Sequence, residues 1–252
     1  MKQMIINIKK MSFLMLLLSG LLACNKEEGL TKAVSIRIAG YNIGNSELEV
    51  SIDEVAYDKF RTPANRRLEF AKVYTYPSGK SQASLRIKDV SNGKEVFQQQ
   101  LQFSSSDMDL FFPYVIINGS SLEIKPPVPD PSTNKLAFYI HYPQSSDAID
   151  IFFKNDAGQI SYLAKNVMPS KWTYVDYMTA KEFKDQTKIS NLYFTKTGTT
   201  TQWAFQNSEQ MSKSPSGSLL LPNFEEKGLS RTFFVTPGTN QLEVVNLFKR
   251  PN

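Results

Sequence analysis

Apolar and polar side chains alternate with a period of two along most of the chain. Val34, Ile36 and Ile38 are separated by Ser35, Arg37 and Ala39, and Leu48, Val50 and Ile52 alternate with Glu47, Glu49 and Ser51. Leu85 and Ile87 alternate with Ser84, Arg86 and Lys88. In an extended backbone successive side chains point to opposite faces, so these runs predict strands with one buried face and one face in water. Turn signals separate them. Residues 42–45 carry Gly44, residues 91–94 read Ser-Asn-Gly-Lys, and Asn118-Gly119 follows the apolar run 110–117. Asn-Gly supplies the positive φ angles that tight hairpins need. Further strands are expected at 96–103, 110–117 and 122–124, and residues 63–67 read as a single helical turn.

The same pattern resumes after a proline-rich stretch. Leu136, Phe138, Ile140 and Tyr142 alternate with Ala137, Tyr139 and His141. Strands are expected at 148–154, 172–177, 191–195, 202–205, 231–236 and 242–248, the last two forming a hairpin around Pro237-Gly238. Thr179-Ala180-Lys181-Glu182 has the spacing of a capping box and predicts a short helix. Between the two patterned regions, four of the thirteen prolines fall within residues 126–131. Proline lacks an N–H and fixes φ, so this stretch cannot run through a sheet interior. The expected fold is all-β: two tandem antiparallel β-sandwiches of the immunoglobulin-like or transthyretin-like kind, over 33–125 and 135–252, joined by a stiff linker at 126–134. Both regions open with a strand, a polar turn and a second strand with an acid near its start. That is the mark of a duplicated module, or only of two similar hairpins.

The amino terminus has a different pattern. Lys2, Lys9 and Lys10 precede a nearly unbroken apolar run over 11–22. At 1.5 Å per residue a helix of that length covers about 18 Å, short of the roughly 30 Å hydrocarbon core. The layout is that of a cleaved export signal, over 1–23. Leu21-Leu22-Ala23-Cys24 resembles the lipobox of bacterial lipoproteins. The resemblance implies cleavage before Cys24, a diacylglycerol with its fatty acyl chains (palmitate) on that thiol, and anchoring to a membrane through it. Residues 24–32 then form a tether. Lys26-Glu27-Glu28 resembles the export signals of surface-exposed lipoproteins of Bacteroidota, which implies the outer membrane and its outer face. The body resembles the small β-sandwich repeats of envelope lipoproteins.

Export changes the charge argument. Residues 1–23 hold three lysines and no acid, so the net charge falls from +5 for the whole chain to +2 for the remainder. No basic run longer than Arg66-Arg67 remains, which argues against a nucleic-acid partner. Cys24 is the only cysteine, so no internal disulfide is available and the cores alone must hold the fold.

Candidate chemistry is sparse. A Ser-His-Asp relay would have to use His141, the one histidine, which falls on the face opposite Leu136, Phe138 and Ile140. Zinc needs three or four ligands, and one histidine without a free thiol does not supply them. Asp107 with Asp109, and Asp147 with Asp150, read as solvated turns rather than a calcium loop or a glycosidase pair. No phosphate-cradling glycine loop or dinucleotide fingerprint occurs. The expectation is no cofactor, no metal and no catalysis. Trp172, Tyr174 and Asp176 share one strand face, which suits stacking on a sugar with a carboxylate for its hydroxyls; the competing account places Trp172 between the sheets, as it places Trp203 beside Phe205. The sequence thus points to a lipid-anchored envelope module binding a glycan, a peptide or an envelope protein, with an assembly subunit of a surface fibre or complex as the alternative.

Overall fold

The computed structural model describes residues 30–103, 109–155, 157–181, 191–215 and 217–249. The lipobox, Cys24, the Lys26-Glu27-Glu28 segment, Asp107 and Glu182 of the capping box lie outside those residues. The protein is all-β, with single turns of 3-10 helix such as Asp58–Phe60. No helix among the described residues is long and apolar enough to cross a membrane.

Residues before the proline-rich stretch form β1 (Thr31–Ile43), β2 (Leu48–Ile52), β3 (Val55–Ala56), β4 (Arg66–Pro77), β5 (Gln82–Asp89), β6 (Glu95–Gln102), β7 (Asp109–Ile117) and β8 (Ser120–Ser121). Those after it form β9 (Asn134–Ile140), β10 (Ile149–Lys154), β11 (Ile160–Val167), β12 (Trp172–Tyr177), β13 (Asn191–Lys196), β14 (Ser230–Pro237) and β15 (Leu242–Asn246). The first set makes sheets β4-β1-β7-β8 and β3-β2-β5-β6; the second makes β12-β9-β14-β15 and β11-β10-β13. The order is the same twice. β1, β4, β7 and β8 correspond to β9, β12, β14 and β15, while β2, β3 and β5 correspond to β10, β11 and β13. The bridge from Thr195 to Trp203 stands where β6 pairs with β5. Directions also match. β1 runs antiparallel to β4 and parallel to β7, and β9 runs antiparallel to β12 and parallel to β14. Each sandwich is therefore mixed, with one parallel pair in an otherwise antiparallel arrangement.

Each pair of sheets encloses its own apolar core. Ile36, Ile38, Val50, Leu68, Leu85, Ile87 and Ile116 fill the first, and Leu136, Phe138, Ile151, Phe194, Phe205 and Phe233 fill the second. A third cluster lies outside both, on the faces that alternation alone would assign to water. Tyr41, Val115, Phe234, Val245 and Leu247 are all buried there, with Ile43, Leu122, Ile124, Tyr139 and Trp172 packed on them. The registers relate these residues pairwise. Tyr41 stands opposite Val115 as Tyr139 stands opposite Phe234. Val115 accepts the Leu122 amide where Phe234 pairs with Val245. Equivalent sheets thus meet through equivalent faces. β1, β7, β9 and β14 all end on the same side of the contact, which is what a pseudo-two-fold axis along the strands produces. Such an isologous contact is the geometry of a homodimer interface, here within one chain. Ion pairs flank it: Arg67 Nε to Glu243 at 2.6 Å, and Asp109 between Arg37 and Lys249 at 2.6 and 3.2 Å.

Residues 63–67 are not a helical turn. Asn65 takes a left-handed conformation at φ 57° and the chain enters β4 at Arg66; the helical turn lies a few residues earlier, at Asp58–Phe60. Arg61 closes that turn in an extended conformation, two residues before Pro63.

Candidate functional site

The shared exit side of β1, β7, β9 and β14 holds a cleft of about 390 Å³ between the two sandwiches. Its size falls in the range of small-molecule sites. The first sandwich supplies Tyr41, Ile43, Asn65 and Asn118; the second supplies His141, Pro143, Gln144, Gln206 and the turn from Thr236 to Thr239. The position of each follows from the fold. Ile43 and His141 close or follow the equivalent strands β1 and β9, and Asn118 and Pro237 belong to the equivalent turns after β7 and β14.

Several lining residues have unusual backbones. Asn65, Asn118 and Gln206 all have positive φ, between 51° and 57°. Asparagine tolerates the left-handed region and Gly119 completes the turn after Asn118, but glutamine gains nothing locally from it. Here the surrounding hydrogen bonds hold it: the Gln206 amide donates to the Tyr142 hydroxyl at 3.2 Å. Other backbone amides of the lining are also engaged. Asn65 donates to Asn42, Asn118 to Ile43, His141 to Val235 and Gly238 to Gln241.

The floor is apolar. The Tyr41 ring is buried and tilted against Phe234, with its hydroxyl donating to the Asn65 carbonyl at 2.8 Å. Burial, with Glu243 nearby, pushes that hydroxyl up to about 12, so it stays protonated and donating. The His141 ring is half-buried beside Phe234, 6.3 Å between centroids. Burial pushes its pKa below the ordinary value, so at neutral pH it is an uncharged imidazole. The free-energy consequence has a definite sign. A histidine whose folded pKa is depressed binds fewer protons folded than unfolded, so its contribution is complete above the unfolded pKa, near 6.5, and is lost as pH falls below it. Between pH 7 and 5 the melting midpoint should therefore fall more for the natural chain than for His141→Gln. Parallel curves for the two would show that His141 does not titrate in a buried setting.

The face that the sequence singled out lies apart from this cleft, on β12. Trp172, Tyr174 and Asp176 do share one side of β12, the outer side. The Trp172 indole packs at 5.3 Å from the Tyr139 ring and donates to the Glu123 carbonyl at 3.2 Å. The Tyr174 hydroxyl approaches the Lys125 carbonyl at 3.4 Å, and the Ser230 hydroxyl donates to the Pro127 carbonyl at 2.7 Å. These side chains hold the chain's own segment 123–127 across the sheet. Trp172 thus sits neither between the sheets of its sandwich nor on a free surface. Tyr174 remains half exposed, and Asp176 is mostly exposed and paired with Lys135 at 2.6 Å.

Three other readings change. Asp150 is buried rather than solvated, accepting from the Asn166 and Gly198 amides and the Thr197 hydroxyl. Asp109 is an ion-pair centre, and Arg37 beside it holds its carboxyl below the usual range. Trp203 does not share a face with Phe205, because the chain leaves strand geometry around Ala204. Phe205 enters the core against Phe194, and Trp203 stacks at 6.0 Å on Tyr193 outside it. No cluster of histidine, cysteine and acidic side chains that could hold a metal occurs among the described residues.

No family model matches the chain, and no curated protein matches it. Among solved structures it is similar to the tip fimbrial protein Mfa3 from Porphyromonas gingivalis with C-terminal truncation, at 8% identity over 86% of this chain and 100% of that one, TM-score 0.21. It is also similar to a candidate adhesin from Bacteroides ovatus, at 10% identity over 87% of this chain and 94% of that one, TM-score 0.20.

Proposed function

We propose that the protein is a lipid-anchored, non-catalytic binding module of the bacterial outer membrane, displayed outward, with its ligand site in the cleft between two tandem sandwiches separated near residues 126–134. The observation that carries this reading is the placement of the cleft. Cys24 lies a few residues before the start of β1, and the cleft lies at the end of β1. A strand rises about 3.3 Å per residue, so the cleft stands about 40 Å beyond the tethered end. A site meant for ligands from outside the membrane belongs there.

Anchoring is tested on Cys24 itself. Stable attachment takes two acyl chains or an equivalent second signal, which a diacylated cysteine supplies. Cys24→Ser should lose fatty-acid labelling and leave the membrane fraction. Full labelling and retention in that variant would remove the anchor from the proposal.

A further inference from the structure

Resting on the cleft assigned above as the ligand site, we propose that it takes a neutral saccharide, held by side-chain amides from both sandwiches over the Tyr41 floor. Every lining residue is uncharged or apolar, apart from His141, which burial keeps neutral. No lining side chain supplies a cation for a phosphate, a sulfate or a carboxylate, and none supplies a carboxylate for a metal. What the cleft offers is uncharged donors and acceptors. Among the described residues, the side chains of Asn118, Gln144 and Gln206 make no hydrogen bond within the protein, and those three are exposed. Each amide presents two donors and an acceptor. They project from three separate turns around a floor made by Tyr41, Ile43 and the prolines Pro143 and Pro237. A ring with an apolar face and hydroxyls around its rim matches that layout, because each hydroxyl both donates and accepts.

A peptide fits less well. An extended peptide that adds to a sheet is captured through main-chain hydrogen bonds to a free edge. In this cleft the amides of Asn65, Asn118, His141, Gln206 and Gly238 are already engaged, and the strands that end in it are central in their sheets or closed by turns. With no free sheet edge, recognition rests largely on side chains, which suits a compact ligand rather than an extended one.

The test uses the full chain, solubilised in detergent, on an array of neutral and acidic glycans, with affinities then measured by calorimetry for the neutral oligosaccharide that binds best. Two variants probe the cleft: Gln144→Ala, and Asn118→Gly, which removes an amide while tolerating the positive φ. One lost hydrogen bond is worth about 1 kcal/mol, so each should weaken binding by about fivefold to tenfold. Gln144→Arg, which fills the cleft with a charged side chain, should abolish it. Tyr174→Ala is the control on the outer face of β12 and should bind as the natural chain does. Loss of binding in Tyr174→Ala with normal binding in the cleft variants would overturn the proposal and move the site to that face. Binding confined to acidic glycans would overturn it as well. If no glycan binds while Gln144→Arg releases a crosslinked protein partner from intact cells, the saccharide is refuted and the cleft survives as a ligand site; normal partner binding in Gln144→Arg as well would refute both.

Discussion

Gly40→Ala should unfold the first sandwich or leave it barely stable. Gly40 lies inside β1, towards its end, and pairs with Tyr114 of the parallel neighbour β7. A methyl group placed there would stand 1.6 Å from the Tyr114 carbonyl oxygen and 2.6 Å from its carbon. Both atoms are backbone, so no side chain can turn aside, and β1 and β7 must part. Ordinary overpacking costs about 1–3 kcal/mol; a forced separation of two central strands should exceed the top of that range. At about 2–4 °C per kcal/mol for a chain of this size, the melting midpoint should drop by about 10 °C or more. Gly79→Ala is the control, since nothing lies within 4 Å of the added carbon. Equal midpoints for Gly40→Ala and the natural chain would show that the strands are not so close. The corresponding position in the second sandwich makes the reason visible. There Phe138 pairs with Phe233 and the two rings stack at 5.1 Å. In the first sandwich the pair is glycine and tyrosine, and the Tyr114 ring turns to Phe97 instead.

Phe234→Ala should loosen the contact between the sandwiches. Phe234 is fully buried, yet it belongs to neither sandwich core. Its neighbours are Tyr41 at 5.9 Å, Tyr139 at 6.1 Å and His141 at 6.3 Å. Truncating a buried phenylalanine costs about 3–5 kcal/mol, and here the loss falls on the coupling of the two halves. The natural chain should melt in one transition, and the variant in two or in one much broadened. An unchanged, single transition in Phe234→Ala would mean that the ion pairs and the segment 123–127 hold the halves together without it. The cleft should suffer too, because the floor under His141 is lost.

Much of the strand pattern was legible because one-face burial leaves a period of two. Where both faces are covered the period disappears, and with it the signal. Residues 233–235 and 114–117 are apolar without alternation, and that continuity was the available sign of a second packing surface. Alternation instead assigned Tyr139 and His141 to water, and Tyr139 proved to pack on the cluster shared by the two sandwiches. β4 escaped notice because Lys72 interrupts its inward set of Leu68, Phe70, Tyr74 and Tyr76, and β11 because Leu163, Ala164 and Lys165 read as helix formers. The cleft could not be read at all. Its amides lie far apart in sequence, from Asn65 to Gln206, and only the meeting of equivalent faces brings them to one place. Asn118-Gly119 was visible as a turn, without any hint of what it faces.

The direction of β1 has a mechanical consequence. If the protein is tethered through its amino terminus and grips a ligand in the cleft, any pull between the two runs along β1, from Thr31 towards Ile43. β1 is flanked by β4 over 31–42 and by β7 over 35–43, so its hydrogen bonds lie across the line of force. They would be strained together in shear rather than opened one after another, the way a zip opens from one end. A strand loaded in that manner yields only when many bonds fail at once, and the lifetime of a stretched attachment would then be set by the ligand's grip before the fold gives way.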